Sequence, residues 1–522
     1  MKIGEETLDQ EDFVKATAYD EMIPWEKRLK REIPLIKDQL KPGTVLDVAC
    51  SSGRHSFELE KYGFTSLGVD VSREMIFIAQ KLKNELNAKS DFLTIDATKS
   101  MLEEIREQGL ETYYDNAILL GNAIANMGTL KGGKQTIQNI YLLMNPGGRF
   151  FCQTVVRPSE PHYMPIRKVE KDNFLQRIMI PVFDETVDHN VDLHVNKIDG
   201  KTGEYLTQKA DNHFFMYEKE EFEEMVTSFG FELIQVYGGY SGEEPNSEGG
   251  STLVWVFEKP EIPIFEETKT LFKKYWKNRE DIDIENEDEL FTKIKQEALK
   301  VWQDAFSMNH YMCISSFRFL YPRILSHPMY SYISSNLDDK TILDIGCFMG
   351  TDIRQLIVDG ADPAKLIGTD ITGAFFELGY QLYGDKEGTP ITFVAGDIAS
   401  SDVLDYKNKT GELARYQSSI DIIHTGSLLH LLFREDSLSV LKKIHLLLVD
   451  DGILFGRMVG SDKEQSLDDS DGLRHIHSIE SLEAVLAEIG YKNIQVIAMD
   501  EKGPIGERSQ KDWLSLMFYA RK

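Results

Sequence analysis

Cysteine is scarce in this 522-residue chain: Cys50, Cys152, Cys313 and Cys347 are all there is, and no two form a CxxC pair. That excludes a disulfide framework and the common zinc-knuckle spacings, and it fits a reducing, cytoplasmic compartment. Basic residues are also few. Lys and Arg number 58 against 86 Asp and Glu, a net charge of −28 shared equally between residues 1–260 and 261–522. Neither half carries the positive charge that would neutralise phosphates and release their counterions, so nucleic acid is not expected as a partner. No apolar run approaches the roughly 18 residues of a membrane span, and the opening MKIGEETLDQEDF has no apolar core of a secretion signal. Yet 42% of residues are hydrophobic, enough for sizeable cores over two to four domains.

One pattern is written twice. Thr44-Val45-Leu46-Asp47-Val48 runs into the small loop Ala49-Cys50-Ser51-Ser52-Gly53, and Thr341-Ile342-Leu343-Asp344-Ile345 runs into Gly346-Cys347-Phe348-Met349-Gly350. A helix-compatible stretch follows each loop, Arg54 to Lys61 and Thr351 to Val358, so both read as strand, turn, helix. A second strand then ends at Asp70 or Asp370, a third at Asp96 or Asp397, and a fourth follows Asp115 or Asp421. The turns Asn145-Pro146-Gly147-Gly148 and Asp450-Asp451-Gly452 each open a fifth. The order never breaks, and the offset stays near 300 residues, too long for a solenoid and consistent with a repeated domain. Alternating strands and helices at this spacing predict an α/β fold with a mostly parallel sheet covered by helices on both faces. Over residues 182–215 the alternation HNVDLHVNKID and YLTQKADNHFF predicts a small antiparallel insertion in the first copy.

Ligands of open α/β sheets bind beyond the carboxyl ends of the strands. Small residues after the first strand let backbone approach a ligand there. Asp70 and Asp370 are placed to accept hydrogen bonds from ribose hydroxyls, and Asp96 and Asp397 from an exocyclic adenine amine. Neither loop carries the GxGxxG that seats a pyrophosphate on a helix N-terminus, so a nucleoside without phosphates suits them better than NAD or FAD.

With those residues in view, both copies resemble class I methyltransferases. LDVACSSGRH, GVDVSREM, ILLGNAIANM, MNPGGRF and VYGGYSGEE, with Tyr19-Asp20 and Ile23-Pro24-Trp25 ahead of them, resemble bacterial glycine/sarcosine-type N-methyltransferases over about residues 15–258. That family usually has Gly where this chain has Ser51. CISSFRFLYPRILSHPMY, LDIGCFMGTDIRQLIVDGA, FFELGYQLYGD and IDIIHTGSLLHLL are similar to methyltransferases of fungal secondary-metabolite clusters over about residues 305–480. That branch also lacks the middle glycine, at Phe348.

The resemblance implies two Rossmann-like class I methyltransferase domains with seven-stranded sheets, and S-adenosyl-L-methionine as cofactor, leaving as S-adenosyl-L-homocysteine. It implies cofactor-binding roles for Trp25, Arg28, Asp47, Ala49, Gly53, Asp70, Val71, Asp96, Ala97 and Gly121 in the first half. In the second half the corresponding set is Asp344, Gly346, Gly350, Asp370, Ile371, Asp397, Ile398 and Thr425. For Asp47 and Asp344 the alternative is a helix cap; for Trp25 and Arg28 it is plain packing of an N-terminal helix. Asn122, His424 and His430 stand near the fourth strand as candidate catalytic groups, although a lone histidine beside an apolar strand is commonly structural. Arg157, Tyr240, Arg318 and Arg457 are candidate substrate contacts, each arginine equally suited to an internal ion pair.

The expected organisation is an N-terminal methyltransferase domain at 1–258, an acidic linker with a connecting helix at 259–290, and a C-terminal methyltransferase domain at 291–522. The expected function is methyl transfer to a small molecule: an amine or amino acid by the first resemblance, a natural-product hydroxyl or carboxyl by the second, with two successive methylations if both domains work. One active domain beside a degenerate partner, or a non-enzymatic S-adenosylmethionine sensor, are the alternatives. No metal ligand set is expected.

Overall fold

The computed structural model describes residues 23–157, 173–182, 190–199, 205–405, 407–469, 472–499 and 513–522, together with 13, 16, 17, 20, 160, 162–163, 167–170 and 202. The chain divides into two compact units, Met1–Ile262 and Pro263–Lys522.

In the first unit the seven-stranded sheet is built from β1 (Thr44–Val48), β2 (Thr65–Asp70), β3 (Asp91–Thr94), β4 (Tyr114–Leu119) and β5 (Met144–Val155). The chain then makes five antiparallel strands: β6 (His162–Tyr163), β7 (Arg167–Glu170), β8 (Asn173–Val182), β9 (Asn190–Asp199) and β10 (Tyr205–Phe215). It returns to the main sheet with β11 (Glu232–Tyr237) and β12 (Thr252–Glu258). The order across the main sheet is β11-β12-β5-β4-β1-β2-β3. β3, β2, β1, β4 and β5 pair parallel, and β12 enters antiparallel between β5 and β11.

The second unit repeats this order. Its strands are β13 (Ile342–Ile345), β14 (Leu366–Asp370), β15 (Thr392–Ala395), β16 (Ile420–Gly426) and β17 (Leu448–Ser461), a two-stranded hairpin β18 (Gln465–Asp469) and β19 (Gly472–Ile476), then β20 (Lys492–Met499) and β21 (Trp513–Arg521). They lie as β15-β14-β13-β16-β17-β21-β20, and β21 is antiparallel to both neighbours. Two mostly parallel, seven-stranded Rossmann-like sheets are therefore present, as the repeated pattern predicts, and the antiparallel insertion of the first unit is larger than the expected strand pair.

The central strands are apolar on both faces because helices cover both faces. Val45, Leu46 and Val48 of β1 and Leu343 and Ile345 of β13 are fully buried, which a parallel sheet requires. Each first strand hands over to its helix through a left-handed glycine, Gly53 and Gly350, both at φ 74°. A Cβ on Gly53 would stand 2.5 Å from the Phe92 ring, so close packing of loop on sheet, as well as backbone hand, calls for glycine there.

The helix Glu266–Trp276 packs within the second unit: Thr268 donates to the Leu320 carbonyl at 3.0 Å and Phe272 stacks on Tyr383 with centroids 5.0 Å apart. The third strands stop at Thr94 and Ala395, short of the acids expected to end them, so Asp96 and Asp397 sit in the loops that follow. Among the described residues no helix is long and apolar enough to cross a membrane.

Candidate functional site

In each unit the loop after the first strand and the acid ending the second meet at the carboxyl ends of the parallel strands. The loop after the first strand doubles back so that a backbone N–H reaches the acid ending the second strand. Ser51 N–H donates to Asp70 Oδ2 at 2.8 Å, and Phe348 N–H donates to Asp370 Oδ2 at 2.7 Å. The other carboxylate oxygen accepts from Ser72 N–H at 2.9 Å in the first unit and from Ile371 N–H at 2.8 Å in the second. Burial raises the pKa of both acids, Asp370 to about 6, against the lowering effect of those N–H groups. Ser51 and Phe348 pay for this fold-back with left-handed backbones, φ 53° and 50°, where an L-residue is strained by about 1–2 kcal/mol. Immediately after each acid an apolar side chain stands out in the open, Val71 at 67% and Ile371 at 57% exposed. Exposed aliphatics beside a hydroxyl-accepting carboxylate make a natural seat for a flat, partly apolar ring with a sugar attached.

Beneath the first loop, Asp47 is fully buried. It accepts from Ser56 Oγ at 2.7 Å, and burial pushes its carboxyl up to about 6. Above it lies the helix Trp25–Gln39. Its Arg28 pairs with buried Glu32 at 3.1 Å, and the guanidinium would be 3.1 Å from a Cβ on Gly121, so glycine gives Arg28 room at the end of β4. Glu32 also pairs with His55 at 2.9 Å; burial opposes its charge, but His55, Arg28 and Arg31 hold it down at about 2. Trp25 donates from Nε1 to Asp20 at 2.9 Å, and Asp20 also accepts from Ser52 Oγ and from Arg54 at 2.6 Å. The helix is thereby tied to the loop Ala49–Gly53. Ala49 itself is left-handed, φ 56°.

The candidates for acceptor chemistry in the first unit are spent inside the protein. Asn122 Oδ1 accepts from Val155 N–H at 2.9 Å, pinning β4 to β5. Arg157 lies between Glu218 at 3.1 Å and Glu221 at 3.4 Å, at the start of the helix Lys219–Ser228, which is the ion-pair alternative. Tyr240 is 8% exposed and donates to Gln153 Oε1 at 2.9 Å, while Gly121 N–H donates to the same oxygen at 3.0 Å. Gln153 thus links the two, and no motif in the sequence marks it. Asp96 accepts from Thr98 Oγ1 at 2.6 Å and carries Lys99 at 3.1 Å, which lowers its pKa. Ala97 is buried, and its carbonyl accepts from Asn139 at 2.9 Å.

In the second unit these strand ends open into a cavity of about 380 Å³, within the range of small-ligand sites. Gly346, Asp370, Ile371, Asp397, Ile398 and Arg318 of the expected set line it, as do Phe348, Asp352 and Arg323. Thr425 does not: it is wholly buried, and the cavity wall is made by Gly426 and Ser427, because β16 runs further than expected. Gly350 acts as the hinge into the helix Thr351–Val358, outside the lining. His430, on the short 3₁₀ turn Leu429–Leu431, is not a lining residue either.

His424 sits under the cavity. Its Nδ1 is 2.8 Å from Asp344 Oδ1, and Asp352 is close enough that the three groups present ligand-type atoms within 4.8 Å of one another. Burial works against the imidazolium, but Asp344 and then Asp352 raise the His424 pKa above its ordinary value. His424 and Asp344 thus hold one another in place by a direct side-chain contact. Arg318 and Arg323 line the cavity, and Arg457 is near enough to feel the charge of both. Burial, then the charges of Arg323 and Arg318, push Arg457 down to about 8; burial and Arg323 push Arg318 down to about 10. Arg457 is outside the lining and donates to Ser515 Oγ at 3.4 Å. Sequence reading missed Arg323 and Asp352. Asp352 N-caps nothing visible in sequence, and only the fold brings Arg323 to the cavity.

Residues 22–236 match the family described as "Methyltransferase domain". Among curated proteins, the chain is 31% identical over 205 residues to the O-methyltransferase atr3 of Stereocaulon alpinum, covering 38% of this chain and 57% of that one. It is 28% identical over 214 residues to the methyltransferase trt5 of Aspergillus terreus, covering 41% and 71%. The chain thus spans little more than half the length of the first relative. Among solved structures it is similar to the CcbJ methyltransferase from Streptomyces caelestis (15% identity, TM-score 0.39, 47% of this chain and 95% of that one). It is likewise similar to CalS10, an amino pentose methyltransferase from Micromonospora echinaspora (16%, 0.35, 49% and 99%). Over residues 22–236, then, the strand-end site of the first unit lies within a segment that matches a methyltransferase domain.

Proposed function

We propose that the chain is a tandem S-adenosylmethionine-dependent methyltransferase acting on small molecules, with one cofactor site at the strand ends of each unit. The observation that carries this reading is the same nucleoside-type seat in both: a folded-back loop, a strand-end carboxylate braced by two N–H groups, and an exposed aliphatic beside it. The fit to S-adenosylmethionine rests on this chemistry, since the seat offers acceptors for sugar hydroxyls and no cradle for phosphates. Asp70 and Asp370 hold the ribose, Val71 and Ile371 cover the adenine, and Asp96, Ala97, Asp397 and Ile398 border its edge. Arg28 and the loops at Ala49–Gly53 and Gly346–Gly350 face the methionine portion. When bound, the cofactor supplies a methyl group already activated by a sulfonium. The protein's task is then alignment and exclusion of water.

The acceptor of the second unit is read as a carboxylate. Arg318 and Arg323 line the cavity with Arg457 close enough to repel both, and an anion in the cavity relieves that repulsion while being oriented by the two lining arginines. A carboxylate needs no base. The first unit, by its resemblance, takes an amine or amino acid, so two methylations by two domains is the fuller form of the proposal. A second reading has its own support: Asn122, Arg157 and Tyr240 are all engaged inside the first unit, which favours a first unit that holds cofactor while the second turns over.

The test is calorimetric titration with S-adenosylhomocysteine, followed by incubation with methyl-labelled S-adenosylmethionine and a panel of small carboxylic acids and amines. Two sites with label entering both acceptor classes supports two working domains. Two sites with label only in carboxylates supports the second reading, and absence of any binding refutes both.

A further inference from the structure

Beside the cavity wall of the second unit, and outside the proposed cofactor seat, lies a cluster that no methyl-transfer role uses. Glu464 follows β17, His475 is on β19, and His477 comes just after it. One ligand-type atom on each lies within 4.8 Å of the other two. Both histidines are buried, at 3% and 2% exposure, while Glu464 is open to solvent. We propose that Glu464, His475 and His477 bind a first-row divalent metal ion of the zinc type, with a fourth position left for water.

Three observations converge on this. The donor set, two imidazoles and a carboxylate, is one that zinc and its neighbours accept. The second is an unsatisfied group: both ring nitrogens of His475 are buried and make no well-formed hydrogen bond among the described residues, although Glu464 Oε1 lies 3.0 Å from Nε2. Leaving a buried imidazole in that state is costly, and a metal bond removes the cost. The third is orientation. His477 Nδ1 is 2.9 Å from Ser481 Oγ, and a proton donated there leaves Nε2 bare, the arrangement that ligating histidines show. Metal–nitrogen bonds of about 2.0–2.1 Å put tetrahedral donors about 3.4 Å apart; Glu464 Oε1 and His475 Nε2 are already 3.0 Å apart, and all three donors start within 4.8 Å of one another.

The place of the cluster gives the ion a structural consequence. His475 N–H donates to the Leu432 carbonyl at 3.2 Å, and Ser461 N–H donates to the His477 carbonyl at 3.1 Å. Leu432 lines the cavity. An ion here therefore staples the β18–β19 hairpin to the end of β17 and to the loop that walls the cavity.

The experiment uses the full chain without a histidine tag, stripped with chelator and titrated with Co²⁺, whose visible bands report a four-coordinate nitrogen and oxygen site. Zn²⁺ is then added as competitor. The expected result is one saturable equivalent displaced by Zn²⁺, weakened at least about tenfold by Glu464→Gln and also by His477→Gln. Glu464 is exposed, so its variant stays folded and decides the matter even if His477→Gln does not fold. No saturable binding, or unchanged affinity in Glu464→Gln, overturns the proposal. So does binding that survives both variants and is lost in His424→Gln, which would put the ion at Asp344, Asp352 and His424 instead.

Discussion

Replacing Asp370 by Ala removes the carboxylate on which the proposed second cofactor seat is built. A hydrogen bond to a charged acceptor is worth about 1.5–3 kcal/mol. Loss of one ribose hydroxyl contact therefore weakens S-adenosylhomocysteine binding at that site roughly ten- to hundredfold, and loss of both costs more. The carboxyl, pushed up to about 6 by burial, adds a second signature. Protonation turns one acceptor oxygen into a donor, so affinity at the second site should fall as pH drops from about 7.5 to 5, bending near 6. Asp370→Asn keeps the shape and one acceptor oxygen but cannot titrate, and its affinity should be flat over the same range. Calorimetry in an Asp70→Ala background, where the first site is silenced, isolates the second. If Asp370→Ala leaves the chain folded and both affinities within twofold of wild type, the carboxylate does not touch the ligand and the seat has been misread. A pH profile that bends equally in Asp370→Asn would assign the titration to another group.

Three further outcomes follow from buried charge. Asp47, wholly buried with its carboxyl at about 6, binds one more proton folded than unfolded between about pH 3.8 and 6, so its contribution to stability falls as pH rises through that window and stays unfavourable above it. Asp47→Asn should therefore raise first-unit stability at pH 7.5 by up to about 3 kcal/mol, seen as a higher unfolding midpoint in urea that converges on wild type near pH 4. Arg354 is fully buried and grips Asp385 through two hydrogen bonds of 2.7 and 2.8 Å, so Arg354→Ala should destabilise the second unit by about 3–5 kcal/mol in the same assay, leaving a charge without its partner. Lys443 Nζ donates to the carbonyls of Ile398, Ala399 and Ser400 at 2.7–2.8 Å, and Lys443→Met should loosen the loop after Asp397, lowering stability by about 1–3 kcal/mol and weakening cofactor binding at the second site more than at the first.

What could be read from sequence was whatever is local and repeated. Asp47, Asp70 and their counterparts near Asp344 and Asp370 announce themselves because a short apolar run, a small-residue loop and an acid recur in fixed order, and order along the chain decides strand order in such a sheet. The side chains that complete the walls are set by distant packing and carry no such mark. Arg323 lies in FLYPRIL, an apolar stretch in which a lone arginine reads as surface, and only the fold turns it toward Arg318 and Arg457. Thr425 was displaced for a different reason: a strand's last residue is fixed by its neighbour's register, here β17 pairing as far as Gly426, which periodicity alone does not reveal. Arg157 and Tyr240 were placed correctly along the chain, but their partners Glu218 and Gln153 lie 61 and 87 residues away.

The left-handed residue that follows each cysteine in the two loops has a consequence for divergence. Its backbone is held by the N–H given to the strand-end aspartate, whichever side chain it carries, so unbranched L-residues bear a similar conformational cost there and can be exchanged, while β-branched ones are disfavoured. One loop hangs a hydroxymethyl there; the other hangs a phenyl ring that packs on Phe375 with centroids 4.4 Å apart and forms part of the cavity wall. A single codon at this point can thus change the size and greasiness of a pocket without moving the scaffold that the two units share.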